Sequence, residues 1–96
     1  MTALLNAATT DTTGTGVETT ARDAWIEIPA DSVFDGAIVT IQMASVDSSA
    51  KYSSAAVIGT ITSPGWVYMV FPVGTFIRAR LHNAKSQTNV TVNLLE

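Results

Sequence analysis

Short runs of β-branched and aromatic residues, separated by turn residues, recur from Val17 to the end of the chain. This spacing is typical of an all-β fold, because such residues favour strands while Gly, Pro and Asp favour reversals. No window of the sequence shows the period of an amphipathic helix. We therefore predict an antiparallel β-sandwich or small barrel of about seven strands. The predicted strands are 17–21, 25–28, 37–45, 55–61, 66–71, 76–82 and 89–95.

Three of these strands alternate between apolar and polar side chains. Because alternate residues of a strand point to the same side of a sheet, this alternation predicts which residues face the core. Residues 44–56 fit the strand pattern least and are also compatible with a long hairpin loop. The predicted core positions are Ala37, Val39, Ile41, Met43, Ile77, Ala79, Leu81, Val90, Val92 and Leu94.

The segment WVYMVF, residues 66–71, breaks this alternation because both of its sides are apolar or aromatic. A domain of this length has one core, so the second side of the strand needs another cover. The N-terminal segment, symmetry-related copies or a larger assembly could each supply it. We predict that this strand contacts a partner, through Trp66, Val67, Met69 and Phe71.

Residues 1–16 are rich in Thr and Ala and end in two closely spaced glycines. Such a segment buries too little apolar surface to fold by itself. We predict a flexible N-terminal arm over residues 1–16, followed by a single β-sandwich domain over residues 17–96. The arm either frays or becomes ordered on a neighbouring subunit, in which case Leu4 and Leu5 are its anchors.

The composition disfavours several classes of function. Five basic residues and a net charge of −3 are too few positive charges for a nucleic-acid interface. The absence of cysteine excludes disulfides and thiolate metal sites. No stretch reaches the length of a transmembrane helix, and the first residues lack the features of a signal peptide. The charged fraction of 14% is low, which favours a surface that is readily desolvated by a partner.

No catalytic, cofactor-binding or metal site is predicted. His82 is the single histidine, and no Gly-x-Ser-x-Gly motif surrounds any serine, so a serine-nucleophile triad is disfavoured. The loop residues Asp31, Asp35 and Asp47 are compatible with a hard-cation site, but their spacing matches no EF-hand loop. Capping of turns by these carboxylates is the favoured interpretation.

Two pairs of side chains are candidates for recognition. Arg78 and Arg80 lie two residues apart on one strand, so both guanidinium groups leave the same side of the sheet. They either contact an acidic partner or are ordinary solvent-facing residues. Trp25 and Trp66 could form a platform for a sugar, although no cluster of Asn, Asp and Gln is predicted beside them.

The stretch DGAIVTIQMASVD, residues 35–47, and the stretch VGTFIRARLHNAKSQTNVTVNLL, residues 73–95, resemble small structural proteins of tailed bacteriophages. Those proteins pair a G-A-x-V-T-I-Q strand with a closing hairpin that carries I-R-A-R-L and V-T-V-x-L. The Thr- and Gly-rich residues 13–16 are also similar to that group. The two stretches together cover a little under half of the chain firmly.

The resemblance implies a non-enzymatic virion protein, assembled in the host cytoplasm, and most specifically a capsid decoration or cement protein. Such proteins are small β-rich units, often homotrimers, that bridge major capsid subunits on the outside of the head. A neck, tail or head-fibre component would carry the same pattern. The alternative from a different class is a carbohydrate- or receptor-binding β-sandwich that uses Trp25. Neither interpretation involves a cofactor, nucleic acid or a membrane.

Overall fold

The computed structural model describes residues 1–54 and 60–96 of the chain and shows two antiparallel β-sheets packed against each other. This architecture confirms the predicted all-β fold, in the form of a small β-sandwich. In the described ranges the ordered elements are β1 (Thr2–Ala8), β2 (Thr12–Thr13), β3 (Val17–Glu18), β4 (Asp23–Ile28), β5 (Ile38–Ala44), the 3-10 turn η1 (Ser49–Lys51), β6 (Ser53–Ser54), β7 (Thr60–Ile61), β8 (Gly65–Val70), β9 (Phe76–His82) and β10 (Val90–Leu95).

The first sheet has the strand order β1-β10-β4-β8. The second sheet is built on the pair β5 and β9. The two-residue strands β2 and β3 follow one another along the free side of β9, and β6 and β7 do the same along β5. None of the helices in the described part of the chain is long and apolar enough to cross a membrane.

The core lies between the two sheets and is formed by alternate residues of the long strands. In β9, Ile77, Ala79 and Leu81 are fully buried, while Arg78 and Arg80 between them point outward. The same alternation places the predicted core residues of β5 and β10 inside, although Asn93, on the outer side of β10, is also buried beside Glu27. Met43 is half-buried against the core, and the other nine predicted core residues are buried.

The prediction of a flexible arm over residues 1–16 is corrected by the structure. Residues 2–8 form β1, which pairs with β10 in the first sheet. Leu4 and Leu5 are 3% and 6% exposed and belong to the core of the same chain, so they are not anchors for a neighbouring subunit. Two register shifts in the β1–β10 pairing flank Leu5, and such irregularity lets two consecutive leucines turn inward.

The glycines of the predicted arm have a packing role. A Cβ atom at position 14 would lie 2.0 Å from the backbone oxygen of Leu4, so only glycine fits there. Gly14 also donates a backbone hydrogen bond to the carbonyl of Ala79, at 2.8 Å. At position 16 a Cβ atom would meet the hydroxyl of Tyr52 at 2.1 Å. The two glycines therefore allow residues 12–18 to run close beside both β1 and the 47–52 loop.

Two other predicted elements differ in extent. The strand predicted over residues 17–21 is limited to Val17–Glu18. Of the strand predicted over residues 55–61, residues 55–59 lie outside the described residues, and residues 60–61 form β7. The segment read as a possible hairpin loop contains η1 and β6.

The strand β8 answers the question raised by its two apolar sides. It lies at the edge of the first sheet and pairs with β4 over its whole length. Met69 and the following Phe71 are buried in the core, and Val67 packs partly against it. Trp66, Tyr68 and Val70 face outward and are exposed. The chain itself therefore covers one side of β8 and leaves the aromatic side open.

Candidate interaction site: an aromatic face on the first sheet

Three aromatic side chains form one cluster on the outer surface of the first sheet. Trp25 meets Trp66 edge-to-face, with ring centroids 6.2 Å apart and an interplanar angle of 81°. Trp25 also packs against Tyr68 at 5.3 Å and a tilt of 58°. The three side chains remain 46%, 55% and 46% exposed. We call this cluster, Trp25, Trp66 and Tyr68, the aromatic face.

The register of two antiparallel strands produces this cluster. In β4, Ala24, Ile26 and Ile28 are buried, so Trp25 between them must point outward. Trp25 lies directly opposite Tyr68 of β8, and Trp66 is its diagonal neighbour on the same side. Direct and diagonal neighbours on one face of a sheet are within reach of large rings. The exposure expected for Trp25 from its alternation is confirmed.

Polar groups flank the aromatic face. Glu27 lies opposite Trp66 and accepts a hydrogen bond from the side-chain amide of Asn93, with 3.0 Å between Oε1 and Nδ2. The hydroxyl of Tyr68 donates to Oδ2 of Asp23. Two carboxylates therefore border the rings, and the buried amide of Asn93 holds one of them in place. The sequence predicted no such polar cluster beside the tryptophans, because Asn93 is brought there by the pairing of β10 with β4.

The contact with Asp23 changes the acidity of Tyr68. The hydrogen bond to Asp23 raises the pKa of the Tyr68 hydroxyl above its ordinary value, and desolvation and the charge of the carboxylate act in the same direction. The phenol is therefore a neutral hydrogen-bond donor at physiological pH. Its orientation is fixed towards the Asp23 end of β4.

Shallow depressions adjoin both ends of the aromatic face. One has a volume of about 400 Å³ and is lined by Glu27, Pro29, Pro64, Trp66 and neighbouring residues. The other, of about 550 Å³, is lined by Arg22, Val70, Phe71, Pro72 and Val73. Both are open to solvent, so this part of the molecule offers a broad contact surface rather than an enclosed ligand cavity.

The outer surface of the second sheet carries the two arginines of β9. Arg78 is half-buried; its Nε donates to Oε1 of Gln42 at 2.7 Å, and its guanidinium lies 4.0 Å from the ring centroid of Tyr52. Arg80 is exposed, and its neighbours across the sheet are Thr13 and Thr40. We call Arg78 and Arg80 together the arginine face. Their projection from one side of the sheet is confirmed.

Tyr52 provides a pH-dependent contact next to Arg78. Burial raises the pKa of Tyr52 from 10.0 to about 12, with further contributions from the hydrogen bond to Asp47 and its charge, opposed by Arg78. The folded state therefore holds this proton more tightly than the unfolded state. The corresponding stability is present below pH 10 and is lost as the pH rises from 10 to about 12.

We expect ultraviolet titration of the Tyr68→Phe variant to show Tyr52 ionising near pH 12. Adding Asp47→Asn should lower this pKa towards 10, because it removes the carboxylate from the Tyr52 hydroxyl. In the same Tyr68→Phe background, Tyr52→Phe should remove the loss of stability that tyrosine ionisation causes in this pH range. An unshifted titration near pH 10 in the Tyr68→Phe variant would contradict the assigned contact.

The predicted partner-contact residues divide into two groups. Met69 and Phe71, like Leu4 and Leu5, are interior residues, and Val67 packs partly against the core. Their assignment as partner contacts is corrected, because the opposite sheet of the same chain covers them.

The other predicted contact residues, Trp66, Arg78 and Arg80, are accessible on the two outer surfaces. Sequence reasoning missed Tyr68 and Val70 as contact candidates, although their alternation with Met69 was the signal for them.

Two of the carboxylates considered for a cation site, and the single histidine, make local contacts. Asp35 accepts a hydrogen bond from the backbone of Gln87 at 3.2 Å, and Asp47 accepts one from the Tyr52 hydroxyl at 2.7 Å. His82 shares a hydrogen bond with Thr40, at 3.3 Å. Within residues 1–54 and 60–96, no three His, Asp or Glu side chains group in a way that could hold a metal ion.

Comparisons with models of protein families, with curated proteins and with solved structures found no match to this chain.

Proposed function

We propose that this chain is a non-enzymatic structural protein of a phage virion, most specifically a capsid decoration protein that bridges major capsid subunits. The observation that carries the proposal is the aromatic face, in which Trp25, Trp66 and Tyr68 lie together and exposed. Tryptophan, tyrosine and arginine are the residues that most often dominate the binding energy of protein interfaces. The resemblance of residues 35–47 and 73–95 to phage structural proteins supports the same role.

The shape of the surface also favours a protein partner. Val70 extends the exposed apolar surface along β8, and Val73 continues it past the end of the strand. Large exposed apolar patches on a small domain mark sites of association. Because β8 is an edge strand, a partner strand could also pair with its backbone while its side chains meet the rings.

The test uses a phage that normally encodes this chain. Its gene for the chain is deleted, and the chain is supplied separately. We expect particles complemented with the wild-type chain to contain it in a fixed ratio to the major capsid protein. On heating, these particles should release their DNA at a higher temperature than particles that lack the chain. Trp25→Ala and Trp66→Ala should each weaken the binding of the chain to the particles at least about 30-fold, as expected for interface hot spots. Val46→Ala, an exposed apolar residue away from this face, is the matched control.

Absence of the chain from purified particles would contradict the proposal. Immunogold labelling confined to the neck, tail or head fibre would place it elsewhere on the virion and overturn the decoration role.

A second candidate function is carbohydrate binding, favoured by the polar border of the aromatic face. Sugars stack their C–H surfaces on aromatic rings and hydrogen-bond to carboxylates, and Asp23 and Glu27 provide these groups on either side of Trp25. Binding of the purified chain to a glycan array, lost in Trp25→Ala and retained in Val46→Ala, would favour this function over the structural one.

A further inference from the structure

The two outer surfaces of the sandwich carry complementary chemistry. The aromatic face on the first sheet is bordered by the carboxylates of Asp23 and Glu27. The arginine face lies on the second sheet, where Ala79, between the two arginines, is fully buried. Since the two sheets pack through their inner sides, the two faces look in opposite directions.

The arginine face contains one ordered and one exposed guanidinium group. Hydrogen bonding to Gln42 and stacking on Tyr52 hold the Arg78 guanidinium in one orientation. Arg80 is exposed between two uncharged threonines across the sheet. An ordered guanidinium loses less side-chain freedom on binding than a mobile one. Arg78 can therefore engage a partner at a reduced entropic cost, and the exposed Arg80 lies beside it on the same side of the sheet.

The aromatic face has the groups that a guanidinium binds. Arginine stacks on the faces of tryptophan and tyrosine rings and donates paired hydrogen bonds to carboxylates. The chain already contains one such contact, in which Arg78 lies 4.0 Å over Tyr52. Trp25 and Trp66 likewise present aromatic rings, with the Glu27 carboxylate beside them, on which an arginine of another copy can stack.

Charges of the opposite kind lie at the margins of both faces. Arg22 precedes Asp23 and lines the depression next to Val70. Near the arginine face, Glu18 lies opposite Phe76, and the Asp47 carboxylate is already bonded to Tyr52. The centre of the aromatic face is therefore negative and aromatic, and the centre of the arginine face is positive.

We propose that a second copy of this chain docks its arginine face on the aromatic face of the first. The contact is head-to-tail, so each copy in a pair still has one face free. Because the two faces look in opposite directions, copies joined in this way are expected to stack into an open, linear assembly rather than a small closed ring. The inference rests on the proposed role as a component of an assembly.

The test is light scattering behind size exclusion on the purified full chain, over a dilution series. We expect a mass above the 10.1 kDa of one chain, falling on dilution and at high salt. Arg80→Glu should weaken association at least about 30-fold. Lys85→Glu, an exposed residue in the loop before β10 with the same change of charge, should leave the mass unchanged.

A mixing experiment tests the head-to-tail geometry. Arg80→Glu keeps an intact aromatic face, and Trp25→Ala/Trp66→Ala keeps an intact arginine face. Each variant alone should be monomeric, whereas an equimolar mixture should form a dimer and stop there, because the remaining two faces are disabled. Circular dichroism verifies the fold of each variant, and Arg80→Gln replaces Arg80→Glu if the latter fails to fold.

A wild-type chain that stays monomeric throughout the series would overturn the inference, as would an Arg80→Glu variant with the wild-type mass. This experiment uses the isolated chain, so its outcome is independent of the particle experiment. A monomeric chain that is present in virions would refute the head-to-tail contact alone. A self-associating chain that is absent from virions would refute the structural role alone.

Discussion

Replacing Leu4 and Leu5 together by alanine is expected to remove most or all of the stability of the folded chain. Both side chains are buried between the sheets. A buried Leu→Ala change costs about 2–5 kcal/mol, because it loses apolar burial and leaves a cavity. A domain of this size has a total stability of about 5–15 kcal/mol. Urea unfolding followed by circular dichroism measures the loss, with each single variant compared with the pair because neighbouring changes do not simply add.

The matched control for these leucines is Asn6→Ala in the same strand. Asn6 is exposed, so its replacement should change the free energy of unfolding by less than about 0.5 kcal/mol. Deletion of residues 1–8 should give an unfolded chain, because it removes β1 and strips one side of β10 of its partner. A truncated chain with the urea midpoint of the full chain would show that β1 does not belong to the domain.

Replacing Met69 by aspartate should prevent folding at neutral pH. Met69 is buried in the core, where no described cation is present to pair with a carboxylate. Burial of an unpaired charge costs several kcal/mol, and protonation of the new side chain would lower that cost only at acidic pH. The expected result is an insoluble or unfolded product, measured by soluble yield and circular dichroism.

The adjacent Val70→Asp change should have the opposite outcome. Val70 is exposed on the edge strand, so a charge there remains solvated and stability should change by less than about 1 kcal/mol. Partner binding through the aromatic side of β8 should nevertheless weaken. Equal loss of folding in Met69→Asp and Val70→Asp would refute the assignment of the two sides of β8.

Three of the strands that sequence analysis located correctly share a local signal. In β5, β9 and β10 one side is apolar and the other polar, so period-two alternation identifies both the strand and its buried side. The strand β1 lacks this signal, because irregular pairing buries two consecutive leucines and Ala7 has a positive φ of 49°. The two-residue strands are too short for any periodicity to be visible.

The candidate site was less accessible to sequence reasoning than the fold. The outward direction of Trp25 follows from its buried neighbours Ala24 and Ile26. Its meeting with Trp66 and Tyr68 depends on the register between β4 and β8, which the local sequence does not specify. The approach of Asn93 to Glu27 requires a pairing of residues 66 positions apart.

The position of β10 between β1 and β4 has a consequence for how the chain folds. These three strands come from the end, the beginning and the first third of the chain, so the first sheet is held together by contacts of very long sequence separation. Closing such loops is slow, and folding on the order of milliseconds to seconds is typical of this topology. During translation, β1 and β4 both lack their shared partner strand, β10, until residues 90–95 have left the ribosome. The nascent chain must therefore keep Leu4 and Leu5 from aggregating until residues 90–95 have emerged.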